Sequence, residues 1–90
     1  MSESISSKIF LDARELEHPK PLEEAIVALR ELGDDNYFYM VHRKNPIPLL
    51  SLAEGQNFKL LTYEESEGVW HILISKNRDI DLNSLIEKLI

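Results

Sequence analysis

Six residues with side chains able to bind or transform a ligand lie in two short clusters. Asp12, Arg14 and His18 sit within LDARELEHPKPL, and His42, Arg43 and Lys44 open HRKNPIPLL. A histidine titrates near neutrality, so His18 suits a general base or a metal or haem ligand. Zinc asks for about four ligands, and no His-x-x-x-His spacing supplies a pair on one helix. The best metal set is His18 with His42, joined by Asp12, for iron, zinc or haem. Arg43 and Lys44 with the histidines suit a small anion or an acidic partner. Each feature also has a plain alternative. Asp12 and Arg14 pair with each other or cap backbone groups, His18 caps the loop before a helix, and His-Arg-Lys is a solvated strand end. No serine lies in a nucleophile elbow, so a Ser-His-Asp reading has no footing. A small enzyme with His18 as base lacks a second catalytic group, and a non-enzymatic role is expected.

Composition narrows the choices. The chain has 90 residues, which suits one small domain, and 43% hydrophobic residues are enough for a core. Its formal net charge is -6, which argues against nucleic acid or an anionic membrane as partner. There is no cysteine, so disulfides, thiolate metal sites, cysteine nucleophiles and persulfide carriage are excluded. No apolar run approaches the roughly 18 residues that span a bilayer. The first residues, MSESISSK, are polar and unlike a signal peptide, so a soluble, cytoplasmic protein is expected.

The elements that must position these residues follow from periodicity. Residues 1–7 read as a flexible tail. KIFLDA alternates as a strand, and the stretch 14–20 is a loop. A helix over 21–32 follows, with Pro21 in its first turn, a stripe of Leu22, Ala25, Ile26, Leu29 and Leu32, and a stop at Gly33. YFYMVH, at 37–42, is a strand. A second helix starts at Asn45-Pro46 or at Pro48, faces Leu49, Leu50, Leu52 and Ala53 inward, and ends at Gly55. FKLLTYEE and GVWHILIS form a hairpin through Ser66-Glu67-Gly68. Leu82, Leu85, Ile86, Leu89 and Ile90 stripe a last helix, capped by Asp81 or by Ser84 with Glu87.

The order is β-α-β-α-β-β. Right-handed crossovers put both main helices on one face of a four-stranded mixed sheet, giving a two-layer α/β sandwich over 8–76. Residues 77–90 append a C-terminal amphipathic helix. If Phe38, Met40, Phe58, Leu60, Trp70, Ile72 and Ile74 face the main helices, then Tyr37, Tyr39, Val41, Leu61, Tyr63, Val69, His71 and Leu73 form an apolar patch opposite. Either the last helix covers that patch or a homodimer does. His71 there reads as structural or interfacial. The strand ends and helix starts bring all six candidate residues to one edge.

LDARELEHPKPL resembles the opening motif of the TusA/SirA-like sulfur-carrier proteins, with Asp12, Leu16, Pro19, Pro21 and Leu22 matching. The carrier cysteine of that group would fall at His18. The resemblance therefore implies the fold, while the missing cysteine contradicts sulfur transfer. LDARELEHPKPL, HRKNPIPLL and EGVWHILI, in that order, look like the cysteine-less domain-of-unknown-function 2249 family, over about 9–76. Members of that family also occur joined to hemerythrin-like, iron-binding domains, which implies a redox or gas-related setting. The expectation is a binding or adaptor module using Asp12, Arg14, His18, His42, Arg43 and Lys44 for a protein partner or small anion. The alternative is a metal- or haem-binding protein using His18 and His42.

Overall fold

The computed structural model describes residues 7–66 and 68–89. The elements run β1 (Ser7–Asp12), α1 (Lys20–Arg30), β2 (Asn36–His42), α2 (Ile47–Gly55), β3 (Lys59–Ser66), β4 (Val69–Ser75) and α3 (Leu82–Leu89). They build one four-stranded sheet in the order β1-β2-β4-β3. β1 runs parallel to β2, β2 antiparallel to β4, and β4 antiparallel to β3. β1 and β2 are joined through α1, the crossover that a parallel pair requires.

Each side of the sheet has its own core. On one, Phe38, Met40, Ile72 and Ile74 meet Ala25, Ala28 and Leu29 of α1, Leu32 just beyond it, and Leu49 and Ala53 of α2. Burying an aliphatic or aromatic side chain of this size contributes about 1.5–3 kcal/mol over leaving it exposed, so this layer carries much of the stability. On the other side, Tyr37, Tyr39, Val41 and Leu73 pack against Leu82 and Ile86 of α3. α3 thus covers Tyr37, Tyr39, Val41 and Leu73 of the apolar patch, while Tyr63 on the edge strand stays 41% exposed. β2 and β4 are apolar on both faces because each face has helices on it.

α3 is held in place by its connection. Lys59 Nζ donates to the carbonyl oxygens of Arg78 at 3.1 Å and Ile80 at 2.7 Å. Asp81 then caps the helix, accepting from the Ser84 backbone N–H at 3.3 Å and from its hydroxyl at 2.9 Å. Of the two expected caps, Asp81 is the one formed. In the hairpin, Gly68 sits at φ 79, a conformation that suits a residue without Cβ. A register irregularity separates Glu64 from Ser66.

Several expected boundaries shift. α1 starts one residue early, at Lys20, and ends at Arg30, before Gly33. The stop is made by Glu31, whose N–H reaches the Ala28 carbonyl, while the Gly33 N–H donates to Asn36 Oδ1 at 2.7 Å. Asn45 does not cap α2; Pro46 occupies that position and no side chain caps it. Leu52, expected inward, is 36% exposed, because the short α2 turns Leu49 and Ala53, with Leu50 beside them, toward the core. Ser7 pairs with Asn36 inside β1, so strand begins where tail was expected. The remaining tail residues, 1–6, and Ile90 lie outside the described residues.

Candidate functional site

Parallel pairing of β1 and β2 ends both strands at the same edge, and each chain end then turns into a helix. Between the β1–α1 loop, the end of β2 and the start of α2 lies a concave cavity of about 770 Å³. Leu16, Leu22, Met40 and Leu49 give it apolar walls, and Glu15, Glu17, His18, His42, Arg43, Lys44 and Asn45 give it polar ones of both charges. Arg14 also lines it. Five of the six candidate residues therefore share one cavity.

Asp12 does not line the cavity. It is occupied by Arg14, whose Nε donates to Asp12 Oδ1 at 2.9 Å and whose Nη2 donates to Oδ2 at 2.8 Å. The Arg14 backbone N–H adds a third bond to Oδ1 at 3.2 Å. These bonds, and the guanidinium charge, lower the Asp12 pKa to about 2. The pair lies near the strand end, where it fixes the turn into the loop. The expected metal set is corrected here. Among the described residues no three His, Asp or Glu side chains come together to hold a metal ion. His18 and His42 line the same cavity without the carboxylate that was to join them.

His18 is exposed and its peptide bond to Pro19 is cis. His42 is half-buried. Burial, then the nearby Lys44 charge, push its pKa below the usual histidine value, with the Ala13 backbone opposing both. Its Nδ1 is buried and makes no hydrogen bond. Asn45 Oδ1 is likewise buried and unbonded. Buried polar atoms are nearly always paired, and these two are exceptions packed at the base of the β2–α2 turn. Asn45 was read only as a helix cap. Its sequence signal was the Asn-Pro pair directly after His-Arg-Lys.

On the other face of the sheet, His71 bridges Tyr39 and Glu65. Its Nδ1 lies 2.7 Å from the Tyr39 hydroxyl and its Nε2 lies 2.7 Å from Glu65 Oε1. Both ring nitrogens are satisfied, which suits a structural residue in the sheet.

A family model described as "Uncharacterized conserved protein (DUF2249)" matches residues 10–76. The chain belongs to this family. That span contains both cavity loops and ends one residue after β4. The crystal structure of the SirA-like protein from Desulfitobacterium hafniense is similar over 73% of this chain and 95% of that one. The two are 28% identical, with a TM-score of 0.60. No curated protein matches the chain. This DUF2249 chain thus has a SirA-like fold and no cysteine. Among the described residues, no helix is long and apolar enough to cross a membrane.

Proposed function

We propose that this chain is a non-enzymatic binding module whose strand-end cavity docks a small anionic ligand or an acidic segment of a protein partner. The observation that carries the reading is the adjacent pair Arg43 and Lys44 lining the β2–α2 side of the cavity. Adjacent cations attract an anion locally in a chain of net charge -6, while Glu15 and Glu17, on the β1–α1 side of the same cavity, confine it to the Arg43 and Lys44 side. Arg14 adds little, because Asp12 already neutralises it. The loop of the sulfur-carrier motif persists around His18 without the cysteine. That likeness supports docking that outlived the carrier chemistry, in a redox or sulfur-related setting.

The test is an amide NMR titration with phosphate, acetate and an acidic peptide. Shifts clustered at 14–20 and 42–46, lost in an Arg43→Glu, Lys44→Glu double variant, are the expected result. A spectrum unmoved by all three probes overturns the reading.

A further inference from the structure

We propose that the outer edge of β1 pairs antiparallel with β1 of a second copy of this chain, centred on Phe10, so that two sheets join into one. This goes beyond the function proposed above and uses a different surface.

β1 ends the strand order β1-β2-β4-β3, and among the described residues no strand lies on its outer side. Its bonds to β2 show which backbone groups are left over. The Ser7 N–H donates to the Asp35 carbonyl at 2.9 Å, and the Ala13 N–H to the Val41 carbonyl at 2.7 Å. A strand turns its N–H and C=O groups to alternate sides residue by residue, so Ser7, Ile9, Leu11 and Ala13 bond inward. Lys8, Phe10 and Asp12 direct theirs outward. An edge of that kind is a template for another strand unless something guards it. β3, at the other edge, is guarded by the irregularity between Glu64 and Ser66 and by two successive glutamates. β1 pairs with β2 in unbroken register, contains no proline and leaves Phe10 52% exposed.

The side chains fit a second copy of the same strand. Antiparallel pairing centred on Phe10 sets Lys8 opposite the partner's Asp12, and Asp12 opposite the partner's Lys8. These are the residues with outward backbone groups, so each opposed pair exchanges two hydrogen bonds. Both ends of the seam then carry opposite charges on one face, which favours cross-strand pairing. Asp12 keeps its bonds to Arg14, and a carboxylate has lone pairs for a second cation. Between the charges the two Phe10 rings meet, extending the contact that each makes with Tyr39 at 5.3 Å between centroids. On the other face Ile9 meets the partner's Leu11, and both are already partly buried against the core under α1. Moving the centre to Ile9 or Leu11 sets a charge opposite Phe10 instead, so the sequence favours one register.

A single strand pair is a small interface, so Kd is expected on the order of 100 µM. Sedimentation and amide hydrogen exchange of the full chain, from about 10 µM to about 1 mM, bracket that value. The expected result is self-association in which the N–H groups of Lys8, Phe10 and Asp12 exchange more slowly as concentration rises. Those of Ile9 and Leu11 are expected to stay protected throughout. Lys8→Asp and Asp12→Lys each place like charges opposite one another at both ends, and each should weaken association roughly tenfold or more. An equimolar mixture of the two variants should restore it, because every opposed pair again has opposite signs. A chain that stays monomeric across the range overturns the proposal. So does association that leaves those three amides unchanged, or that both variants retain, since it then uses another surface. A mixture no more associated than either variant alone also overturns it.

Discussion

The Tyr39 hydroxyl and His71 Nδ1 lie 2.7 Å apart across neighbouring strands, and the protonation of the pair follows from what stands behind it. His71 Nε2 faces the Glu65 carboxylate at 2.7 Å and must donate to it. A neutral ring then presents Nδ1 as an acceptor, so the Tyr39 hydroxyl donates. The two rings also stack, with centroids 5.9 Å apart. This chain of bonds ties β2, β4 and the exposed end of β3 together beneath α3.

Tyr39→Phe removes the donor and leaves His71 Nδ1 buried without a partner. The expected cost is about 1–3 kcal/mol. For a domain of this size, each kcal/mol lowers Tm by roughly 4–8 °C. Urea unfolding with thermal melts checks it, and a Tm within error of wild type would contradict the bonding scheme.

The Asp12 carboxyl is held down to about 2, below the ordinary carboxylate value of 3.8, because Arg14 bonds to its charged form. The native state therefore binds this proton less readily than the unfolded chain. The contribution is complete above the unfolded value and is lost as pH falls from there through about 2. Both partners are substantially exposed, so solvent screening holds the contribution to at most about 1 kcal/mol. Asp12→Asn should lower stability modestly at pH 7 and become neutral at the acid end of that window. Paired urea melts at several pH values test it.

Much of this was legible in the sequence because alternation and helical spacing report burial directly. Phe38, Met40, Ile72 and Ile74 were separable from Tyr37, Tyr39, Val41 and Leu73 by period two alone. That the last helix covers the second group was one of two readings, since an amphipathic stripe states a need for cover without naming the surface. The site was legible as an edge, because parallel strands must end together. Its membership was less so. Asp12 and Arg14 satisfy each other two residues apart, which spacing allowed but did not decide. Asn45 carries no chemistry until its oxygen is seen to be buried. The shift of α1 to Lys20 and the exposure of Leu52 depend on how short helices sit on the sheet, which periodicity does not report.

His42 is held below the ordinary histidine value of 6.5 by burial first and by the Lys44 charge second. A folded state that resists protonation loses stability as pH drops below the unfolded value, with the loss complete below the native value. Lys44→Ala removes a like charge and should move the His42 midpoint upward, and it should shrink the acid-side loss. The imidazole proton resonances of His42 report the midpoint. A downward move would mean that Lys44 does not act on His42.

α3 binds its sheet face through Leu82 and Ile86, both buried against Tyr37, Tyr39, Val41 and Leu73. Leu82 is 2% exposed, so Leu82→Ala should cost about 2–5 kcal/mol through lost burial and the cavity left behind. Ile86→Asp goes further, because an unpaired carboxylate cannot remain among these side chains. The helix should then release, exposing a broad apolar and aromatic face on an otherwise folded sheet. Faces of that kind associate. Sedimentation should show stronger concentration-dependent self-association for Ile86→Asp than for the parent chain, alongside retained amide dispersion from the α1 and α2 side. Fully folded Ile86→Asp protein that associates no more than the parent would mean that α3 contributes little to covering this face.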